Sequence, residues 1–424
     1  MSASKVSNLL RHVSASIQNL KPYVPGKPIE EVVREYQLSE VVKLASNENP
    51  LGPSPLALQR VKGSLAKGLE LYPDAAHQSL KAALRREYVT ANAGAADSID
   101  FMIGNGSNEI IDLAFRVFGS SPAKRATAKP NVVLHQASFI AYSIAAQIEG
   151  LEIREAPIDA RTLEVDVDAM IERIDQDTRL VCLANPNNPT GLVVSAENVE
   201  RLVKACAEHD AILLLDYAYY EYVSHCEPLV SGAGELIASP AELLRKYPNV
   251  LILRTFSKIY GLAGLRVGYA VGDKELIALF DKVREPFNVN TLALAAAEAA
   301  LSDKAHLEAT RTLNLEMRSL LHRELQQRGF RVYDSAGNFV LFSVEPVLDR
   351  FNPSNPSDSS PAQRKFSSGA EAIPVIYQAF LRRGVIVRPV LNYGLNYHLR
   401  VSTGTSPQMA TFFLALDQLF PAKT

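Results

Sequence analysis

Short apolar runs alternating with helical patterns predict an α/β protein: a large domain with a mostly parallel sheet covered by helices, then a smaller α+β domain. Three observations carry this. The first is a series of strand-like runs: "FMIGN" (101–105), "NVVLH" (131–135), "RLVCLAN" (179–185), "AILLLD" (211–216), "VLILRT" (250–255) and "VGYAVG" (267–272). Each is apolar or β-branched at successive positions, as expected for strands buried on both faces. The second is the helical spacing between them: Val199, Leu202, Val203 and Cys206 recur at i, i+3, i+4 and i+7 behind a candidate Ser195 cap. The third is a change of texture near residue 291, after which the chain becomes rich in Ala, Leu, Glu and Arg. There Leu313, Met317, Leu320 and Leu321 form a second helical stripe, and two later runs, "NFVLFSV" and "GVIVRPV", read as strands. The expected organisation is an N-terminal arm (1–44), a large domain (45–290) and a small domain (291–424). A Ser/Pro-rich insertion near 351–370 reads as a surface excursion.

A length of 424 residues suits two domains, and the net charge of −2, with its charges interspersed, gives no reason to expect nucleic acid. No apolar run approaches the length of a membrane span. The first thirty residues carry Lys5, Arg11, Lys21 and Lys27 among serines, a weak likeness to a transit peptide, and the expectation is a cytoplasmic protein. Three cysteines, Cys182, Cys206 and Cys226, contain no C-x-x-C pair, which suits a reducing compartment. Eight scattered histidines show no ligand spacing, so no metal is expected. The partners expected are small molecules and copies of the same chain.

In parallel sheets the ligand lies beyond the carboxyl ends of the strands, so the residues at those exits decide the chemistry. "FMIGNGSNEII" ends in glycines before a helix. The amides of Ser107 and Asn108 would then face outward at a positive helix end and suit a phosphate, unless this is an ordinary glycine turn. "LANPNNPTG" is a rigid polar turn that either holds a ring hydroxyl or caps the next helix. Asp216 follows five apolar residues, and a carboxylate there needs a cationic partner. "LRTFSKIYGLAGLRVGY" delivers Thr255, Ser257, Lys258 and Arg266. Taken singly, Lys258 reads as a solvated lysine. Taken together, a phosphate cup, an anion for a protonated ring nitrogen, a donor for a phenolate and a lysine for a carbonyl match pyridoxal 5′-phosphate.

Seven segments in order, "LASNENPLGPSP", "LYPD", "GNGSNEII", "NPNNPTG", "LLLDYAYYEY", "RTFSKIYGLAGLRVGY" and "GVIVRPVLNYGLNYHLRVSTGT", make the chain resemble fold-type I pyridoxal-phosphate-dependent aminotransferases, and among them the histidinol-phosphate aminotransferases. The resemblance implies that Lys258 anchors the cofactor covalently and then moves the substrate proton, while Asp216 keeps the ring nitrogen protonated. It implies that Asn188 and Tyr219 bond the ring oxygen, and that Ser257, Arg266, Ser107, Asn108 and, as a further candidate, Thr255 hold the phosphate. Phe139 in "HQASFIAY" is the stacking candidate, although the turn lacks the usual proline, and "DYAY" replaces D-E-A-Y. Tyr72 resembles a tyrosine that reaches the neighbouring subunit's phosphate, which implies a homodimer with shared active sites. Arg400 and Arg388 match residues that bind the substrate's anionic groups, with Asn47 and the arm residue Tyr23 beside them. The expected substrates are an amino donor, histidinol phosphate, and 2-oxoglutarate. An aromatic amino acid aminotransferase and an amino acid phosphate decarboxylase on the same scaffold are the alternatives. A dinucleotide-dependent oxidoreductase is disfavoured, because the glycines at 261, 264 and 268 lack the G-x-G-x-x-G spacing. So is a DNA-binding regulator on this scaffold, because no room for its second module precedes "LASNENP".

Overall fold

The computed structural model describes residues 10–20, 22, 25–65, 69–91, 98–119, 128–225, 237–353 and 366–422. The described part of the arm contains helix α1 (Ile29–Tyr36) and leads into the short strand β1 (Val42–Lys43). A seven-stranded sheet follows, made of β2 (Ile99–Gly104), β3 (Asn131–His135), β4 (Glu152–Ala156), β5 (Thr178–Ala184), β6 (Ile212–Asp216), β7 (Val250–Thr255) and β8 (Gly268–Asp273). Its order is β2-β8-β7-β6-β5-β3-β4, parallel throughout except for β8, which runs antiparallel to both neighbours.

Burial explains why the middle strands carry unbroken apolar runs. Val181, Leu183, Leu213, Leu215, Val250 and Ile252 face one core, while Leu180, Cys182, Leu214, Leu251 and Leu253 face another on the opposite side. Both faces are therefore dry, and neither phase of the two-residue alternation is polar. The edge strand β4 was not among the runs read from the sequence. Its "EIREA" leaves Glu152 and Glu155 exposed, as an edge permits, so it lacks the apolar signature.

Helices cover the sheet. Helix α2 (Ser107–Ala114) leaves the end of β2, α3 (Ile140–Ile148) follows β3, and α4 (Ala196–Glu208) joins β5 to β6. Ser195 caps α4 by accepting from the Asn198 amide at 3.3 Å, and Val199, Leu202, Val203 and Cys206 form its buried stripe. Helices α5 (Thr291–Ser302) and α6 (Lys304–Gln327) lead out of the large body. Ala293 through Leu307 still pack in its core, whereas Met317, Leu321 and Leu325 belong to the second one.

The second body is a four-stranded antiparallel sheet in the order β12-β13-β10-β9. It comprises β9 (Arg331–Val332), β10 (Phe339–Ser343), β12 (Arg388–Pro389) and β13 (His398–Ser402), with helices α7 (Gly369–Arg382) and α8 (Ser406–Leu419) packed around it. The run "GVIVRPV" divides: β11 (Val385–Ile386) pairs in parallel with β1 of the arm, and β12 pairs with β13. Most of the Ser/Pro-rich stretch lies outside the described residues.

Candidate active site

Because β8 is antiparallel to both β2 and β7, the carboxyl ends of β2, β5, β6 and β7 open on one side of the sheet. A cavity of about 200 Å³ lies at these exits, and its walls include Ser107, Asn188, Asp216, Lys258, Arg388 and Arg400. Asn108, Phe139, Tyr219, Thr255, Ser257, Arg266 and Asn47 line it as well.

The exit of β6 supplies the acid. Asp216 is 5% exposed and accepts from the Tyr142 hydroxyl at Oδ2 (2.8 Å) and from the Ala218 amide at Oδ1 (3.0 Å). Burial pushes its carboxyl above the usual range, and the Tyr142 hydrogen bond, the Ala218 amide and Lys258 pull it back. Tyr219 follows three positions on. Its hydroxyl accepts from Asn47 Nδ2 at 2.9 Å and is pushed up by burial, against the pull of Arg400 and Asn47. The chain beyond is fastened to the neighbouring strand: Glu221 and Arg254, both buried, pair at 2.7 Å, and the guanidinium lies 4.6 Å over the Tyr220 ring.

The exit of β7 brings Lys258, whose Nζ donates to the Ser46 carbonyl at 3.2 Å and lies 5.6 Å from the centre of the Tyr219 ring. Ser257 and Thr255 are tied by a 3.1 Å bond from the Ser257 amide to Thr255 Oγ1. Arg266 returns to the same place in a left-handed backbone conformation (φ 58°), donating to Ser257 Oγ at 3.4 Å and to the Ala263 carbonyl at 3.1 Å.

At the exit of β2, Gly106 (φ 80°, ψ 165°) precedes α2. A Cβ built on it would stand 2.4 Å from Arg266 Nη2, so the loop fits around the guanidinium only without a side chain. Glu109 braces this loop, accepting from the Asn105 amide at 2.5 Å and from Asn288 Nδ2 at 2.7 Å. The first amides of α2, the Ser257 hydroxyl and Arg266 thus form a cationic cup at a helix N-terminus.

The opposite wall comes from the second body. Arg388 and Arg400 are register partners on β12 and β13. Arg400 is 6% exposed, donates to the Ala45 carbonyl at 2.7 Å and to Asn188 Oδ1, and lies 5.1 Å over the Phe339 ring. Gly26 of the arm also lines the cavity; a Cβ there would stand 3.8 Å from Arg388 Nη1. Asn47 (φ 56°) is fixed by Ser402, whose Oγ accepts from the Asn47 amide and donates to Asn47 Oδ1, both at 2.9 Å. Phe139 starts α3 and meets the Tyr142 ring edge-on.

Of the residues named from the sequence, two stand apart. Tyr72 is 82% exposed, stacks on Phe287 at 4.5 Å and does not line the cavity of its own chain. Tyr23 lies outside the described residues. The sequence reading did not single out Tyr142, the Ser46 carbonyl, Gly26 or Tyr393, all of which line the cavity or touch its acid and base. "HQASFIAY" contained Tyr142, but its partner is 74 residues away.

Residues 39–415 match the family described as aminotransferase class I and II. The chain belongs to this aminotransferase family. It is 42% identical over 410 residues to histidinol-phosphate aminotransferase 2 of Methylococcus capsulatus, covering 95% of this chain and 96% of that one. It is 40% identical to histidinol-phosphate aminotransferase of an Anaeromyxobacter species, covering 97% and 99%. Among solved structures it superposes on histidinol-phosphate aminotransferase from Sinorhizobium meliloti, crystallised with pyridoxal-5′-phosphate, with a TM-score of 0.76 and 26% identity over 96% of this chain and 97% of that one. A Thermus thermophilus aspartate aminotransferase mutant at 22% identity and a TM-score of 0.75 shares the fold. This fold-type I architecture is the α/β arrangement expected from the alternating runs.

Proposed function

We propose that this aminotransferase uses pyridoxal 5′-phosphate to move an amino group from histidinol phosphate to 2-oxoglutarate, giving imidazole acetol phosphate and glutamate. The residues fit the cofactor. The Gly106–Arg266 cradle accepts a phosphate, the buried Asp216 carboxylate faces the cavity with Lys258 near it, and Phe139 offers a ring face. When bound, the cofactor supplies an electron-withdrawing ring that takes up the electron pair left as a proton leaves the donor's α-carbon. Lys258 is the covalent anchor, and its released amine is the base that takes that proton and returns it. Asp216, whose charged form two donors favour against burial, keeps a proton on the ring nitrogen. Tyr219 and Asn188 hold the ring oxygen; Ser107, Asn108, Thr255, Ser257 and Arg266 hold the phosphate.

The single observation that carries the substrate class is the placing of Arg388 and Arg400 side by side on β12 and β13, on the wall of the cavity that holds Lys258. Two guanidiniums suit a phosphate dianion in the donor and the two carboxylates of glutamate in the return reaction. The names of the relatives point the same way. Purified protein assayed with histidinol phosphate, phenylalanine and tyrosine against 2-oxoglutarate tests the reading: kcat/KM is expected to favour histidinol phosphate, and preference for an aromatic donor refutes it.

The same reading includes a cytoplasmic homodimer. Leu69, Leu71, Tyr72 and Phe287 are exposed apolar side chains in or near the "LYPD" turn, with Tyr72 stacked on Phe287, and a second copy covering them would bring Tyr72 to the neighbouring site. Buried free thiols at Cys182 and Cys206 suit a reducing compartment, and no helix among the described residues is long and apolar enough to cross a membrane.

A further inference from the structure

Tyr142 closes the "HQASFIAY" segment and has no role assigned above, yet it touches two of the groups assigned to the cofactor. It is fully buried on α3, three residues after Phe139, the extended residue that precedes the helix, and the two rings are in contact. Its hydroxyl donates to Asp216 Oδ2 at 2.8 Å, and its ring meets Phe139 edge-on with centroids 5.7 Å apart.

We propose that Tyr142 is a positioning residue for cofactor binding: its hydroxyl keeps the Asp216 carboxylate ionised and aimed into the cavity, and its ring sets the tilt of Phe139. One side chain then fixes both the acid at the ring nitrogen and the stacking face. The proposal rests on Asp216 serving the ring nitrogen.

A carboxylate buried to this degree takes up a proton unless donors stabilise its charge. Asp216 has two, one per oxygen, and the Ala218 amide is a short-range bond within the turn that follows β6. The Tyr142 bond is different, since it reaches across from α3 and fixes the rotation of the carboxylate about its side-chain bonds. Burial and Asp216 itself hold the Tyr142 hydroxyl far above its ordinary titration range, so it keeps its proton and can donate near neutral pH. The other titratable groups facing Asp216 are Cys182 from β5, Tyr219 beyond β6 and Lys258 beyond β7. Cys182 and Tyr219 are likewise held neutral by burial.

The test compares the parent protein, Tyr142→Phe, Asp216→Asn and the double variant. The dissociation constant of pyridoxal phosphate is measured by equilibrium dialysis between about pH 6 and 9, and the melting temperature is measured without cofactor. Losing a hydrogen bond to a charged group should weaken binding by Tyr142→Phe roughly tenfold at neutral pH. The rise in dissociation constant on the acid side should begin at higher pH, because Asp216 then takes its proton earlier. In the Asp216→Asn background the same change should weaken binding less than about twofold, since there is no charge left to hold. Curves for Tyr142→Phe that run parallel to the parent's, or an undiminished loss in the Asp216→Asn background, overturn the proposal and leave the assignment of Asp216 standing. Parent-like binding by Asp216→Asn overturns that assignment and this proposal with it. A loss of melting temperature with an unmoved pH profile assigns Tyr142 to packing alone and also overturns the proposal.

Discussion

Gly106→Ala should impair cofactor binding far more than folding, and the structure shows why. At φ 80° and ψ 165° the residue occupies a backbone region open almost only to glycine, so alanine there strains the chain by about 1–3 kcal/mol. The added methyl would stand 2.4 Å from Arg266 Nη2 and 3.0 Å from Arg266 Cζ. Those atoms are the far end of a flexible side chain, so the clash is relieved by moving the guanidinium and not by opening the sheet. The displaced group is the cation of the phosphate cup. Loss of one charge-assisted bond, about 1.5–3 kcal/mol, should raise the dissociation constant of pyridoxal phosphate roughly 10- to 150-fold, and loss of a second bond by a similar further factor. Gly268→Ala is the contrast. Its methyl would meet backbone, the Ser107 nitrogen at 2.8 Å and the Arg254 carbonyl at 2.9 Å, and these cannot rotate away. Equilibrium dialysis and thermal melting of the two variants separate the cases. Gly106→Ala is expected to lose the cofactor and keep most of its melting temperature, whereas Gly268→Ala should lose melting temperature directly. Binding by Gly106→Ala within twofold of the parent would refute the reasoning.

Three further outcomes are expected. Arg388→Leu should lower kcat/KM for histidinol phosphate roughly 10- to 100-fold and for phenylalanine much less, as read by steady-state kinetics; equal losses would remove Arg388 from phosphate recognition. Mixed dimers of Tyr72→Ala with Lys258→Ala should regain activity, because one of the two sites then contains neither change; no recovery despite heterodimer formation, shown by native mass spectrometry, argues against shared sites. Burial lowers the folded-state pKa of His135 to about 4, so its neutral form contributes stability that is complete above its unfolded value near 6.5 and is lost as pH falls toward 4. The contribution is about 3 kcal/mol across that window, and His135→Gln should flatten the urea-midpoint profile there; an unchanged slope would contradict it.

The sheet was legible where physics made the sequence one-dimensional. Strands β5, β6 and β7 lie between two dry faces, so each carries four or more consecutive apolar residues and the run announces itself. Strand β13 lies between β12 and β10, yet Arg400 within it and His398 at its start break the apolar signal, so it was found as a substrate motif and not as a strand. The exits that carry chemistry were legible for a similar reason: Asp216 and Lys258 follow apolar runs that end abruptly. What sequence did not disclose were pairings at long range. Asn188 was read as a partner for the cofactor's oxygen, and in the fold it already accepts from Arg400, 212 residues away. Tyr142 sits in the apolar helix "IAYSIAAQI", where a tyrosine reads as core, and only the juxtaposition of α3 with the end of β6 gives its hydroxyl a purpose.

The claim on which the rest depends is that Lys258 carries the cofactor. Borohydride reduction of the protein with bound pyridoxal phosphate, followed by peptide mapping, tests it most directly. The account predicts a pyridoxyl group on Lys258, in the peptide between Arg254 and Arg266; a pyridoxyl group on any other lysine, or none on Lys258 in protein that contains the cofactor, would contradict it.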